Sequence, residues 1–254
     1  MGWYDVPRPI VSDLIVQHGR NQARKPALLC GERRWTWGEF DAATNQVANG
    51  LLQLGLAPEA RIAVLMQNSA EMALLLFGAG KAGVCVVPLN TAVSDAAVAA
   101  MVRDSGASAI AASGEHCLRV DALLAAGQLA GMKVRLGVDV PAAGHWTDFS
   151  PWLERQSAAA PAVKVDPATE CNVIYSSGTT GLPKGIVHTR GCRYDWGTDL
   201  GIALRYRSDC VTVCSLGLYS NISWVAMLST IVVGGTIVVL PAFSAASLVD
   251  AIER

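Results

Sequence analysis

The sequence predicts an α/β fold of mostly parallel sheets flanked by helices, and three observations carry that prediction. Short apolar, β-rich runs alternate with helix-period segments along most of the 254 residues. Helix-capping residues stand at the junctions, with Thr36, Glu39 and Ser94 at starts and Gly55, Gly83 and Gly106 at stops. A content of 52% hydrophobic against 16% charged residues supplies enough apolar surface to cover sheets on both faces.

In chain order, residues 27–30 and 34–36 read as a hairpin around Gly31-Glu32. Thr36 and Glu39 then form a capping box. The helix they open carries Phe40, Val47, Leu51, Leu52 and Leu54 at helical spacing until Gly55 stops it. Residues 61–66 read as a strand, Asn68 with Glu71 as the start of a second helix ending at Gly83, and 84–87 as the next strand. Ser94 opens a helix that ends near Gly106; strands at 107–111 and 134–138 flank a helix around Leu123. From Cys171 the order is strand, glycine-rich loop, strand, a helix over 195–204, a strand at 210–214, a helix at 223–233 and a strand at 236–240. Ser244 caps a last helix carrying Leu248, Val249 and Ile252. Segments 139–144 and 157–161, rich in Ala, Pro, Gly and Ser, are the linker candidates, which places a division between residues 1–160 and 161–254.

Composition excludes several functions. A net charge of -1 and a pI near 6.4 give no broad basic surface, so no nucleic-acid partner is expected and anionic ligands must be met locally. The seven cysteines include no Cys-x-x-Cys pair and the four histidines show no ligand spacing, against a disulfide framework or a zinc site. Residues 222–240 pass a crude hydropathy window, but Gly234-Gly235, Pro241 and interspersed Ser and Thr divide them, so no transmembrane segment is expected. No secretory signal is evident after Met1, and a reducing, cytoplasmic location is expected.

The segment 175–185, Tyr-Ser-Ser-Gly-Thr-Thr-Gly-Leu-Pro-Lys-Gly, sits between the apolar runs Val173-Ile174 and Ile186-Val187. Gly178, Gly181 and Gly185 allow main-chain N–H groups to approach a ligand, Ser176, Ser177, Thr179 and Thr180 add hydroxyls, and Lys184 adds a mobile charge. That set reads as a phosphate-binding loop. It is not a Walker A loop, because five residues past Gly178 stands Pro183 and Lys184 is followed by Gly185.

The run from Ser177 to Gly185 resembles the signature loop of the adenylate-forming acyl- and aryl-CoA synthetases, Ser-Gly-Thr-Thr-Gly-x-Pro-Lys-Gly. Weaker matches extend along the chain. They are Trp35-Thr36-Trp37-Gly38-Glu39-Phe40, Gly80-Lys81-Ala82-Gly83 followed by Val87-Pro88-Leu89-Asn90, and Gly234-Gly235-Thr236. The resemblance implies the large N-terminal domain of such an enzyme, with 1–160 as its first α/β subdomain and 161–254 as the start of the second. It implies activation of a fatty or aryl acid with ATP and Mg²⁺ to an acyl-adenylate, then transfer to coenzyme A. Ser176, Ser177, Gly178, Thr179, Thr180, Gly181 and Lys184 would hold the phosphates, with the Thr180 hydroxyl near the metal. Tyr219, Ser220 and Asn221 would border the acid pocket, where the family often has an aromatic-His pair and its amino-acid-activating branch an aspartate. His188 and Arg190 fall where the family has a His-Thr-His-like run, and the plainer reading is a strand end and a helix start capped by Thr189. The family's catalytic lysine, hinge and adenine pocket match no part of these residues. An N-terminal fragment, inactive alone and prone to self-association, is therefore expected. Two alternatives stay open: an adenylation domain serving a carrier protein, and a non-catalytic nucleotide- or partner-binding module.

Overall fold

A computed structural model describes residues 8–140, 145–176 and 183–253. Strands β1 (Pro26–Cys30) and β2 (Arg33–Thr36) form the expected hairpin. Two further strands, β10 (Val211–Cys214) and β11 (Thr236–Val239), join it in a four-stranded sheet of order β10-β11-β1-β2, with Leu28 facing Ile237 in a parallel ladder. The second sheet contains β3 (Arg61–Leu65), β4 (Cys85–Pro88), β5 (Ala109–Ser113), β6 (Val134–Val138), β7 (Thr147–Asp148), β8 (Glu170–Ser176) and β9 (Lys184–Thr189). Its order is β7-β6-β5-β3-β4-β8-β9, parallel except for the closing β8–β9 pair. Strands from both sides of residue 160 therefore share both sheets, so the expected division does not separate the β-structure.

Helices α2 (Trp37–Gln53), α3 (Ala70–Lys81) and α8 (Asn221–Val233) join the two sheets through one continuous core, which includes Leu28, Ile237, Phe40, Phe77, Trp224 and Val64. The rings of Trp37, Phe40, Phe77 and Trp224 meet in sequence at centroid distances of 5.9, 5.9 and 6.1 Å. Because side chains alternate along a strand, Ile62 and Val64 enter this core while Ala63 and Leu65 enter a second one. Helices α4 (Asp95–Ser105) and α5 (Glu115–Ala125) cover that second face with Val98, Met101, Val120 and Leu123. The stretch 222–240 resolves into α8 and β11, and no helix among the described residues is long and apolar enough to cross a membrane.

The Thr36–Glu39 capping box is present, with Glu39 N–H donating to Thr36 Oγ1 and Thr36 N–H to Glu39 Oε2. The cap of α3 differs from expectation. Ser69 accepts from Met72 N–H, Glu71 pairs with Arg33, and Asn68 instead donates to Leu216 O and Leu240 O while accepting from Leu218 N–H. Asn68 thus satisfies backbone groups of a segment about 150 positions away, a demand that local spacing does not reveal. The 157–161 linker candidate is also tied down: Asn45 and Asn49 of α2 donate to Ala158 O, Ser157 O and Ala159 O. Helices α1 (Val11–Asn21) and α6 (Phe149–Glu154) and strand β7 have no counterpart in the sequence expectations. The remaining helices are α7 (Arg190–Ala203) and α9 (Ala245–Glu253).

Candidate functional site

Strand β8 pairs parallel with β4 through Asn172 and antiparallel with β9, so the chain reverses between two strands at one end of the sheet. Ser176 ends β8 directly across the ladder from Lys184, which opens β9 exposed to solvent. Ser177, Gly178, Thr179, Thr180 and Gly181 lie outside the described residues. Tyr175, one step before Ser176, is anchored: its hydroxyl lies 2.6 Å from Asp104 Oδ2 and donates to either that oxygen or Met101 O, both on α4. Burial, then the bond to Asp104, raises the Tyr175 pKa. Across the ladder, a Cβ on Gly185 would sit 3.1 Å from the Tyr175 ring. Gly185 is extended, not left-handed, so its value here is room for that ring, not the unusual backbone angle that its place in the loop suggests.

Beside this hairpin opens a cleft of about 580 Å³. The hairpin contributes Ser176, Ile186 and His188, and α7 contributes Trp196. The three expected acid-pocket residues, Tyr219, Ser220 and Asn221, all line it from the start of α8. Tyr219 packs over Gly217, where a Cβ would come within 2.1 Å of the ring. The Ser220 hydroxyl caps α8, accepting from Ser223 N–H. Asn221 Oδ1 accepts from Arg193 Nη1 at 2.9 Å.

Arg193 is the residue that sequence reasoning misses. It is 0% exposed on α7, and no carboxylate among the described residues pairs with it. Its Nε donates to Asn172 Oδ1 at 3.1 Å, its Nη2 lies 3.4 Å from His188 Nδ1, and its guanidinium carbon sits 5.2 Å from the ring centres of Trp196 and Trp224. Burial lowers its pKa to about 10, which leaves it charged at neutral pH. The available signal was helical spacing, since Arg193 shares a face with Trp196 and the buried Gly197.

The other two residues of this segment divide. His188 is a strand residue that also lines the cleft, its pKa lowered by burial and then by Arg193. Arg190 starts α7 behind the Thr189 cap and donates to Gly80 O at the end of α3, to Val84 O and to Thr169 Oγ1. Its role is structural. The residues Gly78-Ala79-Gly80-Lys81-Ala82-Gly83 have a Gly-x-Gly-x-x-Gly spacing at the C-terminal end of α3, not between a strand and the start of a helix where that spacing binds a dinucleotide. There a Cβ on Gly78 would lie 2.4 Å from Val47 Cβ, so this glycine serves helix packing. Among the described residues no group of three or more His, Cys, Asp or Glu is placed to hold a metal ion.

Residues 15–254 match the family model described as AMP-binding enzyme. The chain is 29% identical over 225 residues to the long-chain-fatty-acid–CoA ligase FadD13 of Mycobacterium tuberculosis (strain ATCC 25618 / H37Rv), covering 84% of this chain and 41% of that protein. It is 31% identical over 171 residues to the fatty acid–[acyl-carrier-protein] ligase ScoC of Streptomyces coeruleorubidus, covering 67% of this chain and 31% of ScoC. The crystal structure of the anthranilate CoA ligase AuaEII in complex with anthranoyl-AMP superposes with a TM-score of 0.89 at 25% identity, over 98% of this chain and 48% of AuaEII. The chain thus spans less than half the length of each of these three relatives.

Proposed function

The chain belongs to the AMP-binding enzyme family, and from that premise we propose that it is the nucleotide- and acid-binding part of an AMP-forming acid–thiol ligase. The observation that carries the reading is one juxtaposition. The β8–β9 reversal, with Ser176 and Lys184 face to face, opens onto a cleft that Tyr219, Ser220 and Asn221 also line. A carboxylate attacking the α-phosphate of ATP approaches a polyanion, so the site must supply positive charge and N–H dipoles on the phosphate side and an apolar bed on the acid side. In this reading Ser176, Ser177, Gly178, Thr179, Thr180, Gly181 and Lys184 hold the β- and γ-phosphates. Ile186, Trp196 and Tyr219 receive the body of a fatty or aryl acid. The Thr180 hydroxyl is the chain's donor to Mg²⁺, which would neutralise phosphate charge when bound. Coenzyme A is the proposed acyl acceptor, and the similarity to ScoC keeps a carrier protein as the second candidate.

Lys184→Ala should lower acid-dependent ATP–pyrophosphate exchange, assayed in the natural protein that carries these residues, by about ten- to a hundredfold, the worth of one charge-assisted contact. Unchanged exchange would remove Lys184 from the nucleotide site. Supplying coenzyme A or a phosphopantetheine-loaded carrier as acceptor separates the two thiol candidates. The isolated chain is proposed to self-associate, since β10 is an edge strand with Val211 exposed and α9 presents Val249 and Ile252 to solvent. A concentration-independent monomer in light scattering would refute this.

A further inference from the structure

Arg193 is a buried cation surrounded by groups that can each present either a donor or an acceptor. A guanidinium only donates, so every partner must turn an acceptor toward it. Asn221 and Asn172 turn Oδ1 inward, and His188 turns its Nδ1 lone pair. The opposite polarity is thereby forced outward. Asn221 has Nδ2 left as a donor with no partner among the described residues, and His188 carries its proton on Nε2. Asn172 Nδ2 is buried and unpartnered. Asn221 and His188 both line the cleft, which has no Asp, Glu, Lys or Arg among its described lining residues. The charge behind Asn221 and His188 is the Arg193 guanidinium, while the Asp104 carboxylate stands behind Tyr175 on the α4 side of the cleft.

We infer that Arg193 is a positioning residue that makes the cleft selective for an acid with a free carboxylate and no ammonium group. It acts by fixing Asn221 and His188 as donors and by placing an uncompensated positive charge behind them. This deepens the proposed ligase reading, which it takes as the source of the acid, and names a charge filter within it. An acceptor-rich anionic head satisfies the outward donors, whereas an α-ammonium group meets donors and a like charge.

The test uses three near-isosteric probes: 3-phenylpropanoate, its neutral amide 3-phenylpropanamide, and phenylalanine. Binding is read by calorimetry, with the summed intrinsic fluorescence of the seven tryptophans as a second signal. The unaltered protein should bind the carboxylate about ten- to a hundredfold more tightly than the amide, and phenylalanine more weakly than the carboxylate. Arg193→Gln should bring carboxylate binding down to the level of the amide and leave the amide unchanged. Asn221→Asp supplies the missing carboxylate next to Arg193; it should raise the Tm and also abolish the preference. Equal affinities for carboxylate and amide in the unaltered protein, no binding of either probe, or a preference that survives Asn221→Asp would overturn the inference. Because the readout is binding in the absence of ATP, a charge-selective cleft without pyrophosphate exchange would refute the ligase reading while leaving this inference standing.

Discussion

Lys81 and Arg193 are both cations drawn into the interior, at 4% and 0% exposure, and their surroundings neutralise them in opposite ways. Lys81, at the end of α3, meets Asp41 Oδ1 at 2.5 Å, Asn45 Oδ1 at 2.7 Å and Asp41 O at 3.0 Å, all on α2. The charge is closed within one helix pair. Arg193, on α7, has only neutral acceptors and two indole faces, and its hydrogen bonds lead to residues on a cleft. The first arrangement holds two helices together. The second leaves a positive field that an external anion can complete, and a buried charge is costly until something does so.

The most damaging way to test the contrast is to make Lys81 resemble Arg193. Asp41→Ala leaves the ammonium buried without a carboxylate and should cost about 3 kcal/mol in urea unfolding. The double variant Asp41→Ala with Lys81→Met should recover most of that loss, and a double variant as unstable as the single would show that packing, not charge, was lost. A smaller effect is expected at the other site. Trp196→Leu removes one of the two faces beside Arg193 and should cost about 1 to 2 kcal/mol, measured in the same way. The smallest effect belongs to a partly exposed pair: Arg61 Nε and Nη2 donate to Glu170 at 2.8 and 2.7 Å, joining β3 to β8. The bond to Arg61 lowers the Glu170 pKa. Its contribution is therefore complete above the unfolded value near about 4.3 and lost as pH falls through the lower folded value. Glu170→Gln should cost less than about 1 kcal/mol at neutral pH and flatten the acid limb of a Tm-against-pH curve.

The contrast also explains what could be read in advance. Thr36 with Glu39, Ser94 with Gly106, and the Gly31-Glu32 turn act on residues within four positions, so their effects are written locally. Asn68 resembles such a cap but serves the backbone of Leu218, and Arg193 resembles any charged helix residue until α8 and β8 pack around it. Tyr219, Ser220 and Asn221 were identified through resemblance, and all three reach the cleft, yet the group that orients Asn221 lies 28 positions earlier.

The alternation of strand and helix, most of the helix caps, and the family loop that includes Lys184 are legible from residue order, because each rests on short-range backbone geometry or contiguous residue types. Distant packing decided that β1 pairs with a strand about 200 residues later, that Gly185 makes room for Tyr175, and that Arg193 is buried with no carboxylate partner among the described residues. Those outcomes depend on which surfaces meet when distant segments bury their apolar faces together, and no local pattern encodes the partner.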